Sequence, residues 1–214
     1  FMNLSNEINK IIANLNKKEF KKVINTSEKL ISKKVKNTQI YNLCGLAYQN
    51  LGLYDKSITY FEKSIDLEKN NYFALNNLAY SFKAIQKIEL SENTYENCLK
   101  IKPNYLTAIL NYALLKEEKN EIQKSIELYL SALELNAKSK ERYILSKLSR
   151  LYLSVGNSQK AKNYALKILE KNPEDTSAFS LLSDLTEFID EKKMILDMEN
   201  IYLNKNLNDE DIIN

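Results

Sequence analysis

The chain has 214 residues, of which only 3 are glycine and 2 are proline, and its formal net charge is +3. So few chain breakers argue against a fold of short strands and turns and predict a nearly all-helical protein. The small net charge excludes the sustained basic surface that nucleic-acid binding needs. Because histidine is absent, we expect no catalytic residue, metal site or cofactor in this chain.

Equivalent residue types recur every 34 positions, which indicates an array of repeats. The series are Gly45, Ala79, Ala113; Ser57, Ser91, Ser125; Phe61, Tyr95, Tyr129; and Ile65, Leu99, Leu133. A further series, Phe20, Tyr54, Ile88 and Ile122, extends the period back to a repeat that begins near Leu4. A period of this length predicts a solenoid, in which each repeat buries its apolar face against its neighbours.

The predicted array runs through residues 1–214 as a single domain. Its parts are a degenerate repeat 4–37, well-formed repeats 38–71, 72–105 and 106–139, a repeat 142–175, a degenerate repeat 176–205, and the start of a further helix at 206–214. Residues 140 and 141 are an insertion that we expect to lie in a loop. The polar outer helix of repeat 4–37 is interpreted as a cap.

Each repeat is predicted to form two antiparallel helices. In repeat 38–71, apolar residues have helical spacing on both sides of Gly52, first from Tyr41 to Leu51 and then from Ile58 to Ile65. The small residues between them allow the helices to approach closely. Cys44 and Cys98 occupy apolar or small positions of the pattern, so we expect buried, reduced thiols.

This pattern resembles that of the tetratricopeptide repeat. Its small and aromatic positions read Gly45, Tyr48, Ser57, Phe61 and Ser64 in one repeat, and Ala79, Phe82, Ser91, Tyr95 and Cys98, closed by Pro103, in the next. In the third repeat Lys116 stands where an aromatic residue is typical. The resemblance implies an all-α, right-handed superhelical solenoid of about six antiparallel helix pairs. It also implies a concave groove, formed by the first helices, that binds an extended peptide.

Asparagine recurs at the groove positions that the resemblance implies. Asn42 and Asn76 occupy the fifth place of their repeats, and Asn77 and Asn111 the sixth. A carboxamide can pair with both the C=O and the N–H of a peptide, so these residues resemble the asparagine ladder of some tetratricopeptide proteins. The alternative is that they reflect only the abundance of asparagine in this chain.

Two further side chains complete the predicted peptide-binding set. Tyr80 is an aromatic residue at a groove position, and Lys147 shares a helix face with Arg150 that would suit an acidic partner. The family's clamp for chaperone C-termini is not matched, because Leu46 and Thr107 occupy two of its places.

The leading hypothesis is a non-catalytic scaffold that binds a partner protein or an extended peptide. The alternative is the substrate-recruiting part of a larger enzyme, a sulfotransferase or, as a second choice, a glycosyltransferase, with its catalytic domain beyond Asn214. Residues 194–212 resemble the segment that joins repeats to the catalytic part in bacterial tetratricopeptide–sulfotransferase fusions. Self-association through terminal helices is a third hypothesis. With no apolar run near the roughly 20 residues of a membrane span, and no secretory signal, we expect a cytoplasmic location and no membrane partner.

Overall fold

The structure, a computed structural model, describes residues 4–135, 138–185, 195–196 and 199–200. Within these ranges the chain forms α-helices and no strand, which confirms the all-α prediction. The helices are α1 (Leu4–Asn16), α2 (Phe20–Ser32), α3 (Thr38–Asn50), α4 (Tyr54–Leu67), α5 (Tyr72–Ala84), α6 (Ile88–Ile101), α7 (Leu106–Glu118), α8 (Ile122–Glu134), α9 (Lys138–Ser154), α10 (Ser158–Lys171) and α11 (Thr176–Ser183).

The helix starts reproduce the period of the sequence. The first helices α3, α5 and α7 begin 34 residues apart, and so do the second helices α2, α4, α6 and α8. The second helices begin at the apolar series Phe20, Tyr54, Ile88 and Ile122 that marks the repeat in the sequence. The predicted division into two helices is therefore confirmed for the five repeats from 4–37 to 142–175, while most of the second helix predicted in repeat 176–205 lies outside the described residues.

The turns inside the five repeats from 4–37 to 142–175 share one backbone shape, although their side chains differ. One residue per turn has a positive φ, at Lys18, Gly52, Gln86, Asn120 and Gly156. In each turn the N–H of this residue donates to the carbonyl three residues earlier, at 2.9 or 3.0 Å. The next N–H donates to the carbonyl five residues before it, so the first helix ends in a left-handed cap each time.

Contacts group the chain into two compact units, which we call the N-terminal unit (residues 1–115) and the C-terminal unit (residues 116–214). In the N-terminal unit the core contains Phe61, Cys44 and Cys98, all fully buried. Both cysteines are free thiols. A polar link joins neighbouring repeats, because Gln49 Nε2 donates to Ser81 Oγ at 2.8 Å and to the Asn77 carbonyl at 2.9 Å.

In the C-terminal unit the helix α9 has 17 residues, whereas α3, α5 and α7 have 13 each. Residues 140 and 141 lie inside this helix, so the expectation that they lie in a loop is wrong. The segment 138–141 contains neither glycine nor proline, and its lysines and glutamate are good helix formers. The insertion therefore lengthens the helix at its N-terminal end.

Asp175 fixes the start of α11 in the same unit. Its Oδ1 accepts hydrogen bonds from the Ser177 and Ala178 N–H groups, and Arg142 from the start of the repeat holds both of its carboxylate oxygens. The further helix predicted at 206–214, and most of the segment 194–212, lie outside the described residues. No helix in the described part of the chain is both long and apolar enough to cross a bilayer.

Candidate peptide-binding site

A cavity of about 480 Å³ opens between the first helices α3 and α5 of the N-terminal unit. Its lining includes two of the predicted peptide-binding residues, Asn42 and Asn77, together with Gln39, Leu43, Leu46 and Phe73 of the same two helices. The remaining lining residues are the first residues of the two helices, Thr38 and Tyr72, and the residues Glu68, Asn70 and Asn71 that precede α5. Two consecutive first helices thus form the wall of this cavity, which we call the trough, and both polar and apolar side chains line it.

The orientation of the Asn42 carboxamide is fixed by its neighbour Asn71. Asn71 is the N-cap of α5, where its Oδ1 accepts from the Ala74 N–H at 3.1 Å and its Nδ2 donates to Ser64 Oγ at 3.3 Å. Asn42 therefore presents its Nδ2 to Asn71 Oδ1, at 3.4 Å. This leaves the buried Asn42 Oδ1 without a hydrogen-bond partner in the described part of the chain.

The other three predicted asparagines form a hydrogen-bonded chain. Asn111 Nδ2 donates to Asn76 Oδ1 at 3.1 Å, and Asn76 Nδ2 donates to Asn77 Oδ1 at 3.1 Å. Asn76 is only 3% exposed, whereas Asn77 and Asn111 are partly exposed. Asn76 thus orients its two neighbours and is too deeply buried to contact a peptide directly.

Within the described ranges of the chain, the two outer asparagines of this hydrogen-bonded series, Asn77 and Asn111, each have one amide group free to bind a ligand. Among the described residues, no hydrogen bond engages the Nδ2 of Asn77 or the Oδ1 of Asn111. One end therefore offers a donor and the other an acceptor. A peptide unit, with one C=O and one N–H, requires that combination.

Helix α5 carries two exposed aromatic side chains, of which Phe73 lines the cavity and Tyr80 does not. Phe73 is 50% exposed and Tyr80 is 42% exposed, and both belong to α5. The Phe73 ring lies 4.3 Å from the Tyr72 ring and 5.5 Å from the Tyr105 ring, measured between centroids. The sequence does not distinguish Phe73 from the aromatic residues that pack inside the repeats, and its exposure identifies it as a surface for contact.

Lys147 belongs to the C-terminal unit and already has an acidic partner there. Its Nζ lies 3.0 Å from both carboxylate oxygens of Glu117. An incoming acidic group would have to compete with this ion pair. Of the predicted residues, Asn42 and Asn77 thus line one cavity, and hydrogen bonds join Asn76 to Asn77 and Asn111. Lys147 forms its ion pair with Glu117 and does not line this cavity.

Glu28 is a structurally prominent residue that the sequence analysis missed. Its Oε1 accepts from the hydroxyls of Tyr48, at 2.6 Å, and Tyr60, at 2.7 Å. Burial, followed by the hydrogen bond to Glu28, raises the pKa of both phenols. Glu96, two repeats later, accepts from Tyr112 at 2.9 Å. The available signal was the recurrence of glutamate at 28, 62 and 96, one per repeat.

Comparison with known proteins identifies the repeats of the N-terminal unit. Residues 38–71 and 74–105 match a family model described as "Tetratricopeptide repeat". The chain is 34% identical over 92 residues to the photosystem I assembly protein Ycf3 of Prochlorococcus marinus (strain MIT 9312), a match that covers 42% of this chain and 53% of Ycf3. It is 26% identical over 124 residues to ycf37 of Guillardia theta, covering 56% of this chain and 69% of ycf37.

The solved structures agree on the fold. MamA from Desulfovibrio magneticus RS-1, from residue 41 to its end, superposes with a TM-score of 0.68 at 18% sequence identity, over 80% of this chain and 97% of MamA. The chain spans about half of the length of Ycf3, so that likeness concerns the repeats and not the whole relative. The family match over residues 38–71 and 74–105 and the repeated helix pairs show that the chain contains tetratricopeptide repeats, and MamA shares their fold.

Proposed function

We propose that this protein is a non-catalytic scaffold that holds an extended segment of a partner protein along the first helices of its N-terminal unit. The observation that carries the proposal is the asparagine chain, which leaves a donor at Asn77 and an acceptor at Asn111. In this arrangement the Asn77 amide donates to a peptide carbonyl, and the Asn111 carbonyl accepts from a peptide N–H.

The proposed contacts are largely independent of the partner's sequence. Hydrogen bonds to the main chain fix the direction of the peptide, while Phe73 and Tyr80 supply apolar surface for its side chains. Asn42, which lines the cavity beside Asn77, adds a third carboxamide to the trough. Since Asn76 holds its neighbours in place beforehand, little side-chain entropy is lost on binding.

The relatives are consistent with a role of this kind. Ycf3 bears the name of an assembly protein, and its matched part is similar to the repeats of this chain. We infer that this protein also brings protein partners together and that its repeats supply the binding surface. The identity of the partner would be set by the side chains that Phe73 and Tyr80 contact.

The test is a peptide-array screen followed by affinity measurement on the strongest binder. Asn77→Ala and Asn111→Ala each remove one main-chain hydrogen bond, so each should weaken binding about fivefold, the equivalent of about 1 kcal/mol. Asn97→Ala, at an exposed site on α6, is the matched control and should leave the affinity unchanged. Circular dichroism establishes that each variant is folded. A folded Asn77→Ala/Asn111→Ala double variant with undiminished affinity would eliminate the proposed contacts.

A further inference from the structure

A second cavity, of about 470 Å³, lies in the C-terminal unit and away from the predicted groove positions. Tyr152 from α9 and Tyr164 from α10 form its aromatic wall, and Lys160, Lys167 and Leu130 also line it. The two tyrosine rings are stacked, with centroids 5.5 Å apart and an interplanar angle of 8°. Lys160 Nζ lies 4.9 Å from the Tyr152 ring centre, and Lys167 Nζ lies 5.5 Å from that of Tyr164.

The N-terminal unit contains the same arrangement of four side chains. Tyr48 and Tyr60 are stacked with centroids 5.4 Å apart and an interplanar angle of 14°. Lys56 Nζ lies 5.3 Å from the Tyr48 ring centre, and Lys63 Nζ lies 5.5 Å from that of Tyr60. Each of the four residues precedes its counterpart by 104 positions, which is three repeats plus the inserted pair. The two clusters are therefore equivalent by sequence and by geometry.

The clusters differ in the group that the tyrosine hydroxyls face. In the N-terminal unit both hydroxyls donate to one carboxylate oxygen of Glu28. The residue at the corresponding place in the preceding repeat of the C-terminal unit is Leu130. Among the described residues, no hydrogen bond engages the hydroxyl of Tyr152 or Tyr164, although Tyr152 is only 8% exposed. The second cluster thus has the two tyrosine hydroxyls as donors but no carboxylate acceptor at the place that corresponds to Glu28.

We propose that this second cavity binds a carboxylate, supplied by an aspartate or glutamate side chain of a partner protein, in the place that Glu28 occupies in the first cluster. The two hydroxyls donate to one carboxylate oxygen, and Lys160 and Lys167 add two positive charges beside it. Such charge-assisted hydrogen bonds are stronger than neutral ones. This proposed site is distinct from the proposed peptide-binding site, because the two cavities share no lining residue among those described.

The internal example favours a carboxylate over other anions. The stacked tyrosines in the first cluster are spaced to hold one carboxylate oxygen at 2.6 and 2.7 Å, and the second stack has nearly the same separation. Glu170 also lines the second cavity, but no hydrogen bond or ion pair joins it to the two tyrosines or the two lysines of this described cluster. Replacing Glu170 with glutamine should therefore tighten anion binding.

The direct test is an NMR titration of the full chain with N-acetylglutamate methylamide, whose only charge is a side-chain carboxylate. The ring signals of Tyr152 and Tyr164 should shift saturably. Tyr152→Phe and Lys160→Gln should each weaken binding about tenfold, the size of one charge-assisted hydrogen bond. Lys124→Gln, at an exposed site on α8, is the control and should have no effect. Unshifted tyrosine signals, or tighter binding of inorganic phosphate, would overturn the proposal.

Exchanging the acceptor between the clusters gives a second test. Leu130→Glu should supply the missing carboxylate and abolish the response to the probe. The reciprocal change, Glu28→Leu, should make Tyr48 and Tyr60 respond to the probe. If Leu130→Glu is folded and still binds the probe undiminished, the carboxylate of the probe does not occupy the place that corresponds to Glu28, and the proposal fails. This result is independent of the peptide-array experiment, so either proposal can fail alone.

Discussion

Gly45 lies directly against the ring of Phe61, so closely that a Cβ at this glycine would stand 2.6 Å from Phe61 Cε1 and 2.8 Å from Cδ1. The Phe61 side chain is fully buried. This contact joins α3 to α4 within one repeat. It explains why the smallest side chain occupies the eighth position of the repeat that carries phenylalanine at position twenty-four.

Gly45→Ala should therefore destabilise the protein. Overpacking a buried site costs about 1–3 kcal/mol, and the better helix propensity of alanine returns about 1 kcal/mol. We expect a net loss of about 1 kcal/mol in the free energy of unfolding, measured by urea denaturation. In a Phe61→Leu background the clash is absent, so the same substitution should become neutral or stabilising. Equal losses in both backgrounds would contradict this account of the contact.

The left-handed turns give a matched pair of substitutions. Gln86 and Gly52 hold equivalent positions with φ values of 60° and 72°, a region that costs residues other than glycine about 1–2 kcal/mol. Gln86→Gly should therefore raise the free energy of unfolding by about 1 kcal/mol, and Gly52→Ala should lower it by a similar amount. Thermal unfolding of the two variants measures both. Changes of the same sign would show that another interaction decides these turns.

The sequence predicts the helix pairs well because their apolar spacing repeats in every turn of every helix. It fails where the outcome depends on one particular neighbour. Asn76 and Asn77 are adjacent and of the same type, yet the first is buried and the second is partly exposed, since Asn111 from another helix covers only one of them. Glu28 was missed for the same reason, because its two tyrosine partners lie on two other helices. The turn at Gln86 carries no glycine to reveal its backbone.

The two cysteines should be chemically protected in the native state. Burial raises the pKa of the Cys44 thiol to about 12 and that of the Cys98 thiol to about 11, and both are fully buried. Since only the thiolate reacts, a chromogenic disulfide reagent at pH 8 should modify the folded protein slowly and the urea-unfolded protein at both sites at once. Cys98→Ser isolates Cys44, and serine is a natural choice because Ser64 fills this position in the preceding repeat. Rapid reaction of folded Cys98→Ser would show that Cys44 is accessible.

Asp175 should make the C-terminal unit sensitive to acid. Hydrogen bonding to Arg142, opposed in part by burial, holds the pKa of this carboxyl well below its usual range. A lowered folded-state pKa gives stability that is present above the unfolded-state value of about 3.9 and is lost as the pH falls below it. Asp175→Ala removes both the cap and the ion pair and should cost about 2 kcal/mol at neutral pH. Asp175→Asn retains a capping oxygen, so it should cost less.

The acid response is checked by measuring the free energy of unfolding in urea between pH 2 and pH 7. The loss should begin at α11, because Asp175 caps this helix. Asp175→Asn should show a shallower loss of stability below pH 4 than the wild-type protein, because the titrating group is gone. Glu174→Gln, at the exposed neighbouring position, is the control and should follow the wild-type curve. An unchanged acid limb in Asp175→Asn would contradict the assignment to Asp175.

Glu28 should influence the pH at which the N-terminal unit loses stability in alkaline solution. Burial first, and then the hydrogen bonds to Glu28, raise the pKa of Tyr48 and Tyr60. Phenols with a raised folded-state pKa contribute stability that is fully present below their unfolded-state pKa of about 10 and is lost as the pH rises through the folded-state value. Glu28→Gln removes the negative charge, so both phenols should ionise at lower pH, followed by absorbance at 295 nm.

The same variant should be less stable at neutral pH, since two charge-assisted hydrogen bonds become neutral ones. The expected loss is about 1–2 kcal/mol in the free energy of unfolding. Glu62→Gln, one repeat later at the equivalent position, is exposed and should leave both the phenol titration and the stability unchanged. If the two variants behave alike, the tyrosine pair is held by ring packing alone. A loss of stability confined to Glu28→Gln would instead establish that the hydrogen bonds accepted by Glu28 stabilise the packing of α2 against α3 and α4.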